Sequence, residues 1–328
     1  MTIFYALTLE VDKLKYRKLG NSGLDVSEVG LGTNNFGRRL DFAESERVIL
    51  TALEAGINTI DTANSYGDTL SEDYIGKTLE MRRNEAIIAT KVGAPRGDGP
   101  NQAGASRKHI MDQVEGSLKR LRTDYIDLYQ IHFPDPNTPI DETLITLDDL
   151  VTSGKIRYAG CSNFAGWQLA QAMERAQVLQ VVPFVSVQPP YSLLDREVEK
   201  ELLPCCRDYG IGILPYFPLA NGLLTGKYRR DQPPPEGTRL AEDTPRSRDL
   251  LSNQYFDLVE KLEAFASQNG HPLIELAFAW LLNNPSVSTV IAGATRPEQI
   301  LVNAKAADWE LSDDEIQLLD KILGNSLD

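Results

Sequence analysis

The amino-acid sequence predicts a single α/β domain over residues 1–328, a (β/α)8 TIM barrel with long loops at the C-terminal face of its strands. Short β-branched runs alternate with longer amphipathic stretches, which is typical of strand–helix units. There are eight such runs, and parallel neighbours need crossover connections of this kind. The length also fits, since single α/β barrels commonly reach about 250 residues or more.

Hydrophobic period and capping residues predict the individual elements. The predicted strands are residues 28–33, 58–63, 86–92, 125–132, 156–163, 184–190, 210–217 and 288–294. The predicted helices are residues 42–56, 106–121, 139–155, 167–179, 195–209, 254–269 and 296–307. Ser106 is placed to cap one helix, and Gly56 and Gly154 are placed to end two others.

The barrel has one competitor, an open doubly wound sheet. The dinucleotide-binding form of that fold carries G-x-G-x-x-G after its first strand. This chain has GLGTNNFGRR there, and Gly30, Gly32 and Gly37 do not match that spacing. The sequence therefore favours the barrel.

Two segments interrupt the even alternation. Residues 93–106 are rich in Gly and Pro and follow the third predicted strand, and residues 228–248 form a long polar stretch after the seventh. Long segments without regular structure in compact domains are usually functional or mobile. Both follow strand ends, where a barrel keeps its active site, so we expect them to shape that site.

Composition argues against several classes of partner and location. A net charge of −14 argues against nucleic acid, which needs a basic face, and against anionic membranes. No apolar stretch reaches the roughly 18 residues of a membrane helix. Residues 1–18 carry their basic residues after the apolar run, unlike a signal peptide. Cys161, Cys205 and Cys206 form neither a disulfide framework nor a metal-binding spacing, so we predict a cytoplasmic protein.

Residues of distinct chemistry stand at the ends of consecutive predicted strands. Asp61 ends the second strand and Tyr66 follows it, Lys91 ends the third, and His132 ends the fourth. Taken singly, each fits a solvated strand end or a structural side chain. In a barrel, however, all strand ends share one face, so an acid, a phenol, an amine and an imidazole converge there.

These four groups together suit proton donation to a carbonyl oxygen. A tyrosine has a pKa of about 10 and is a poor acid or base by itself. The Lys91 ammonium should lower the pKa of the Tyr66 phenol, and Asp61 should keep that lysine protonated and oriented. His132 would orient the carbonyl or share the proton. This chemistry requires neither a metal nor a nucleophile.

Other chemistries fit less well, and two of them stay open. Three histidines are too few and too scattered for a barrel metallohydrolase, and no G-x-S-x-G turn indicates acyl transfer. A Schiff base on Lys91 is conceivable, because lysines at barrel strand ends serve aldolases. Isomerase or lyase chemistry by the carboxylate, phenol and amine is the other alternative.

Motifs along nearly the whole chain resemble those of the aldo-keto reductases. They are DTANSYG, ATKVG, RLRTDYIDLYQIHFPD, GKIRYAGCSNF, VQPPYSLLDR, LANGLLTGKY and VIAGATRPEQILVNA. The set is similar to the bacterial and plant branch that includes potassium-channel β subunits. The resemblance implies a barrel that binds NADP(H) in extended form and transfers hydride between it and an aldehyde or ketone. It also implies that Asp61, Tyr66, Lys91 and His132 are catalytic, with Tyr66 as the general acid.

The same resemblance implies the cofactor contacts. Ser162, Asn163 and Gln188 are expected around the nicotinamide carboxamide, and Tyr216 against the nicotinamide ring. The further expected contacts are Gly32, Thr33 and Asp61 near that end, Leu219 and Lys227 at the pyrophosphate, and Gly293, Thr295, Arg296, Gln299 and Asn303 at the adenosine. Arg296, at a helix amino terminus, suits a 2′-phosphate and favours NADP(H) over NAD(H).

Two aromatic residues and one alternative function complete the expectations. Phe217 stands where the family often has a small polar residue, which should narrow or dehydrate the pocket. Phe133 is a candidate pocket wall, with a core role as the alternative. The partner is expected to be a small-molecule carbonyl. A cofactor-binding regulatory subunit that senses redox state, with weak turnover, is the second function that the sequence allows.

Overall fold

The computed structural model describes residues 14–324. Within them, a β-hairpin of Tyr16–Lys18 (β1) and Asp25–Ser27 (β2) precedes one parallel sheet of eight strands. In chain order the sheet strands are Val29–Gly32 (β3), Thr59–Asp61 (β4), Ile87–Val92 (β5), Ile126–Ile131 (β6), Ile156–Ser162 (β7), Phe184–Gln188 (β8), Gly212–Ile213 (β9) and Val290–Gly293 (β10). The eight predicted strands are thus confirmed in number and position.

The sheet curls until its two edge strands meet. The strand order is β10-β3-β4-β5-β6-β7-β8-β9, with each strand parallel to its neighbours. The Ile213 N–H donates to Ser286 O over 2.8 Å, and the Ile291 N–H donates to Pro215 O over 2.9 Å. These bonds connect β9 to the β10 side, so the fold is an α/β barrel-like sheet surrounded by helices.

Helices connect the strands and cover the outside of the sheet. In chain order they are Phe42–Glu54 (α1), Leu70–Leu79 (α2), Arg107–Leu121 (α3), Ile140–Thr152 (α4), Gly166–Leu179 (α5), Leu202–Tyr209 (α6), Pro245–Leu250 (α7), Asn253–Gln268 (α8), Leu273–Leu282 (α9), Pro297–Lys305 (α10) and Asp313–Leu323 (α11). The predicted caps are present. Ser106 Oγ accepts from the His109 N–H, and Gly56 and Gly154 are left-handed, with φ of 86° and 76°.

Some elements differ from the sequence prediction. The predicted strand 210–217 is shortened to β9 because Pro215 has no N–H to donate to a neighbouring strand. The predicted helix 195–209 is a 3-10 turn at Glu197–Glu199 followed by α6. The hairpin and helices α2, α7, α9 and α11 are absent from the prediction. α9 is apolar on almost every side and α2 is weakly patterned, so neither shows a clear amphipathic stripe.

The hairpin closes one end of the barrel. Its Leu19 and Val26 pack inside the barrel against side chains from the strands, namely Ala89, Leu128, Leu214 and Ile291. On β5 and just after β6, Lys91 and His132 stand further toward the carboxyl ends of the strands than Ala89 and Leu128. The apolar plug therefore leaves the opposite end of the barrel for the polar residues.

Three expectations extend beyond what these residues show. A single domain over residues 1–328 stays a prediction, as does the functional role of the loops 93–106 and 228–248. The interpretation of residues 1–18 falls mostly outside the described range, which begins at residue 14. Among the described helices, none has both the length and the apolar character that a bilayer crossing requires.

A tight crossing of α2 over α3 gives a stability prediction. A Cβ atom on Gly76 would lie 2.2 Å from Arg120 O, a backbone atom that has little freedom to move. We predict that Gly76→Ala lowers the free energy of unfolding by about 1–3 kcal/mol, because the helices must separate. Gly23, whose added Cβ would meet nothing within 4 Å, provides the matched control. Urea unfolding measures both variants, and equal midpoints for Gly76→Ala and the wild type would contradict the tight crossing.

Candidate active site

Lys91 lies at the centre of the polar cluster. The residue is fully buried on β5, and its Nζ donates to Asp61 Oδ1 over 2.7 Å and to Thr62 O over 2.9 Å. Its third partner is the Tyr66 phenol, with Nζ 3.4 Å from Oη. The three ammonium protons therefore all have acceptors, and the phenol keeps its own proton for another acceptor.

The turn that carries Tyr66 has an unusual backbone. Gly67, Asp68 and Thr69 follow the tyrosine with φ of 56°, 50° and 77°, so three consecutive residues are left-handed. This conformation is costly for a β-branched residue such as Thr69. Position 67 requires glycine, because a Cβ atom there would lie 2.2 Å from Phe36 O. The tyrosine is thus presented by a strained turn.

Two buried side chains anchor the end of this turn to the barrel. Ser71 Oγ lies 2.8 Å from Thr62 Oγ1. The buried Glu72 accepts from Thr90 Oγ1 over 2.6 Å and pairs with Arg120 over 2.7 Å. The sequence analysis does not single out Ser71 and Glu72. Ser71 and Glu72 are polar residues at buried positions of α2. Because the sequence analysis does not predict this helix, it could not recognise that these positions are buried.

His132 completes the cluster just after β6. Its ring lies edge-on to the Tyr66 ring, with 6.0 Å between centroids. Burial and the Lys91 charge lower the pKa of His132 from 6.5 to about 3. Its Nδ1 is buried and has no hydrogen-bond partner among the described residues. At neutral pH the imidazole is therefore neutral.

Burial and charge oppose each other at Tyr66 and Lys91. Burial raises the pKa of the phenol and the Lys91 ammonium lowers it, and the net pKa is above the usual 10.0. The expected lowering of the phenol pKa by Lys91 is present, but burial, which the sequence analysis did not weigh, is the larger effect. At Lys91, burial lowers the pKa, but Asp61 and Tyr66 together outweigh it, and the pKa is raised. The lysine is therefore charged and the tyrosine protonated at neutral pH.

Asn163 connects His132 to Tyr216. Its Nδ2 donates to His132 O over 3.0 Å, and its Oδ1 accepts from Tyr216 Oη over 2.7 Å. The residue is left-handed, with φ of 62°. This geometry holds the Tyr216 ring at a fixed place beside the cluster.

Gln188 extends the same network to Asp61. Its Nε2 donates to Asp61 Oδ1 over 2.7 Å, and its backbone oxygen accepts from Ser162 Oγ over 2.7 Å. The Asp61 oxygen is thus shared between Gln188 and Lys91. Ser162, Asn163 and Gln188, the residues expected around a carboxamide, are therefore connected to Asp61 by hydrogen bonds.

The cluster opens into a cavity of about 1490 Å³. The residues predicted for the site that line it are Gly32, Thr33, Asp61, Tyr66, His132, Ser162, Asn163, Gln188, Tyr216, Leu219, Lys227, Gly293, Thr295, Arg296, Gln299 and Asn303. Lys91 stands behind Tyr66, buried from this space. A second cavity, of about 780 Å³ beside the hairpin, contains none of these residues. The structure thus brings the predicted residues together, while the role of each stays a prediction.

The segment after β9 has an unusual backbone. Phe217, Ala220, Asn221 and Gly222 are left-handed, with φ of 55°, 44°, 56° and 95°. Two N–H groups of this run are bonded within it, since the Ala220 N–H donates to Phe217 O over 2.9 Å and the Gly222 N–H donates to Leu219 O over 2.8 Å. The Oδ1 of Asn221 is buried and has no partner among residues 14–324.

Three cations line the cavity without a carboxylate in salt-bridge contact within residues 14–324: Lys227, Arg239 and Arg296. Arg239 donates to Asn34 Oδ1 and Asn35 Oδ1 over 3.3 Å each, and burial and two neighbouring arginines lower its pKa. The sequence analysis does not name Arg239, because nothing in the loop 228–248 distinguishes it from the other arginines there before the chain folds.

α10 presents its amino terminus to the same cavity. Arg296 is its N-cap residue, Pro297 its first residue, and no side chain caps the helix. Just before it, the Thr295 N–H donates to Gln299 Oε1 over 2.7 Å. Pro297 has no N–H and the Gln299 N–H donates to Arg296 O over 3.1 Å, so the Arg296 cation is the main group that this helix start offers to an anionic ligand.

The described residues offer no site for a metal ion. Within residues 14–324 no group of three or more His, Cys, Asp or Glu is arranged to hold one. Cys161, Cys205 and Cys206 are free thiols, and none of them lines the large cavity. That the reaction needs no metal stays a prediction.

Comparison with known proteins identifies similar chains. Residues 28–324 match the sequence model of the aldo/keto reductase family. A probable voltage-gated potassium channel subunit beta of Oryza sativa subsp. japonica is 37% identical over 302 residues, covering 90% of this chain and 92% of that protein. The L-glyceraldehyde 3-phosphate reductase of Escherichia coli (strain K12) is 35% identical over 308 residues, covering 90% and 88%. A solved aldo-keto reductase of Bacillus halodurans in its holo form has a TM-score of 0.80 at 34% identity, covering 96% and 98%.

The low pKa of His132 gives a pH prediction. The unfolded chain binds a proton on this imidazole below about pH 6.5, while the folded protein does so only near pH 3. The free energy of unfolding therefore falls as pH drops from 6.5 toward 3, and His132 alone contributes a loss of about 2 kcal/mol by pH 5. Urea unfolding of the wild type and His132→Gln at pH 7.5 and pH 5 measures the difference. The variant should lose less stability between these pH values, and equal losses would show that the folded imidazole titrates normally.

Proposed function

The chain belongs to the aldo/keto reductase family, whose members are generally NAD(P)H-dependent oxidoreductases, and we propose that it interconverts an aldehyde or ketone with the corresponding alcohol using NADP(H). The observation that carries this proposal is the buried contact of Lys91 with Asp61 and Tyr66, whose phenol faces the large cavity. This arrangement presents the Tyr66 phenol, as an acid, to a small carbonyl compound, and it needs neither a metal nor a covalent nucleophile.

Tyr66 is the proposed general acid for reduction. Its raised pKa keeps the phenol protonated at neutral pH, and Lys91 occupies a lone pair of Oη, not its proton. When the proton moves to the carbonyl oxygen, the phenolate that remains faces a full ammonium, which favours it. Asp61 holds that ammonium charged and oriented. The ion pair thus assists the proton transfer without touching the substrate.

His132 is the proposed orienting group for the carbonyl. The ring is neutral, as its low pKa requires, and it meets the Tyr66 ring edge-on. A neutral imidazole can donate one hydrogen bond to the same carbonyl oxygen without competing as an acid. The alignment of the carbonyl with Tyr66 then depends on both side chains.

The cavity fits a nicotinamide dinucleotide, which supplies the hydride when bound. Its volume exceeds the roughly 300–1,000 Å³ of pockets for drug-sized ligands, which leaves room for a dinucleotide and a substrate. Tyr216 offers a ring face beside the cluster, and Ser162, Asn163 and Gln188 offer polar atoms next to it. Lys227 offers a cation to a pyrophosphate, and Leu219 of the same loop is the second proposed contact there.

The far end of the cavity suits an adenosine with a 2′-phosphate. Arg296, the N-cap residue of α10, offers a cation to a phosphate at the positive end of the helix dipole. Gly293, Thr295, Gln299 and Asn303 line the space beside them. This chemistry supports NADP(H) over NAD(H). The loops 93–106 and 228–248 are proposed to shape the substrate end, and residues 236–239, 241 and 242 of the second loop line the cavity.

A second candidate function is a redox-sensing regulatory subunit that binds the cofactor and turns over weakly. The similarity to a probable channel subunit beta favours it. Both functions need cofactor binding, so turnover is what distinguishes them.

Turnover and its dependence on Tyr66 test the proposed function. The purified protein should oxidise NADPH in the presence of 4-nitrobenzaldehyde. Tyr66→Phe should lower kcat by about 10²–10⁴-fold, because the proton donor is lost. The dissociation constant for NADPH, measured by fluorescence, should stay within about twofold, because the phenol serves proton transfer and not cofactor binding. The assay follows NADPH absorbance.

Each result has a clear reading. NADPH binding without oxidation above background would favour the regulatory subunit. Failure to bind NADPH would contradict the proposed function and would favour the alternatives, which are isomerase or lyase chemistry and a Schiff base on Lys91. Wild-type turnover in Tyr66→Phe would exclude the phenol as the acid.

The cofactor preference rests on Arg296. We predict that Arg296→Gln weakens NADPH binding by about tenfold and NADH binding by less than about twofold, because only NADPH carries the 2′-phosphate. Fluorescence titration with both dinucleotides measures this. Equal losses for the two would remove the 2′-phosphate assignment and leave the hydride-transfer proposal intact.

A further inference from the structure

Two large aromatic rings are exposed to the cavity at its reacting end. Phe133 is 48% exposed and Phe217 is 41% exposed, and both line the space into which Tyr66 opens. Water is a poor neighbour for rings of this size, and an apolar ligand that covers them gains the hydrophobic free energy of their burial. Neither ring has a role in the proton transfer proposed above.

Both rings are attached to the hydrogen-bond network of the site. Phe133 follows His132 in the chain, and Phe217 follows Tyr216. Asn163 bonds to both of those residues, to His132 O over 3.0 Å and to Tyr216 Oη over 2.7 Å. Each phenylalanine therefore follows a residue bonded to Asn163, and both line the cavity that Tyr66 lines.

Each ring is also held in a fixed orientation. The Phe133 ring stacks on the His132 ring with centroids 4.5 Å apart and planes 3° apart. The Phe217 ring meets the Tyr216 ring edge-on at 4.9 Å, and the Arg239 guanidinium lies 5.5 Å from its centroid. Rigid rings lose little conformational entropy when a ligand covers them.

The backbone at Phe217 is strained. Its φ of 55° is in the left-handed region, which a bulky aromatic residue rarely adopts. Strain of this kind persists where the surroundings impose it, most often at functional sites. Here the strained backbone leaves the ring partly exposed in the cavity, although packing it away would remove it from water.

The cations of the cavity do not compete for this position. Arg39 pairs with Glu242, and Arg239 is held by Asn34 and Asn35 with its charge over the Phe217 ring. Lys227 and Arg296 belong to the phosphate-binding parts of the proposed cofactor site. The reacting end is thus walled by aromatic carbon, with the neutral imidazole of His132 between it and the phenol.

We propose that Phe133 and Phe217 form an aromatic clamp and that the substrate is a carbonyl compound with an aromatic substituent, gripped between the two rings. This inference rests on the proposed function, since it places the carbonyl at Tyr66. It separates this chain from its Escherichia coli relative, whose name specifies a phosphorylated aldehyde. A phosphate in the clamp would have to leave water for two ring faces, and Arg239 beside the Phe217 ring already donates to Asn34 and Asn35.

Steady-state kinetics with saturating NADPH tests the clamp. The wild type should have a kcat/KM for benzaldehyde at least about tenfold above that for glyceraldehyde 3-phosphate. Phe133→Ala and Phe217→Ala should each lower kcat/KM for benzaldehyde by about tenfold and for acetaldehyde by less than about twofold. Phe133→Leu should recover part of the loss, because it restores apolar area. Trp167→Ala is the control, because it removes an aromatic side chain that is 59% exposed but does not line the cavity. This variant should leave kcat/KM unchanged for both benzaldehyde and acetaldehyde.

Other outcomes overturn the clamp. Equal losses for benzaldehyde and acetaldehyde would mean that the rings only support the cofactor site. A higher kcat/KM for glyceraldehyde 3-phosphate than for benzaldehyde would assign substrate choice to Arg239. If the wild type oxidises no NADPH with any carbonyl, the proposed function fails. The clamp is then tested by itself, by measuring the binding of benzyl alcohol with calorimetric titration. Binding that the double variant Phe133→Ala/Phe217→Ala weakens would support the clamp, and binding that is absent or unchanged would remove it.

Discussion

The ion pair between Asp61 and Lys91 is the interaction on which the rest of the site depends. Both residues are buried, and a buried ammonium is tolerated only when it is paired and its remaining protons are bonded. The pair forms because β4 and β5 are neighbours, and Thr62 O and Tyr66 Oη complete its partners. Removing one charge would leave the other unpaired in the barrel, at a cost of about 3–5 kcal/mol. The Asp61–Lys91 pair is therefore needed for the stability of the folded protein, and it also holds the ammonium beside the Tyr66 phenol.

The position of Tyr66 is secured by packing on both sides of a strained turn. On one side, Asp61 is part of the sheet; on the other, Ser71 and Glu72 anchor α2 to the barrel. The left-handed residues between them, among them Thr69, are held by these anchors, which is the situation in which backbone strain persists. A loop without such anchors would let the phenol move away from Lys91. The rigid turn keeps the Tyr66 phenol at hydrogen-bond distance from Lys91 in the folded protein.

The cavity divides into two chemically different halves. Near the cluster it is walled by aromatic rings and the neutral imidazole of His132, with the Arg239 guanidinium 5.5 Å from the centroid of the Phe217 ring, and further away it carries Lys227 and Arg296. This division matches a ligand whose one end is anionic and whose other end reacts in an apolar setting. Exclusion of water near the phenol strengthens the interactions that act on a developing charge. Under the proposed function, this division separates the binding of the cofactor phosphates from the choice of the carbonyl substrate.

Hydrophobic period and strand-end chemistry were enough to predict the eight strands and to bring Asp61, Tyr66, Lys91 and His132 to one face, because parallel strands of a barrel must end together. The family motifs in the chain supplied the residues that line the far half of the cavity. What the sequence could not determine depends on burial and on contacts between distant segments. The pKa of the phenol is raised and not lowered because burial outweighs the lysine, and burial is a property of the packed barrel. Arg239 reaches the cavity only because the chain folds its loop against Asn34 and Asn35, some 200 residues earlier. Period and motif are local and can be read from the chain, whereas desolvation and long-range contact exist only once the chain has folded.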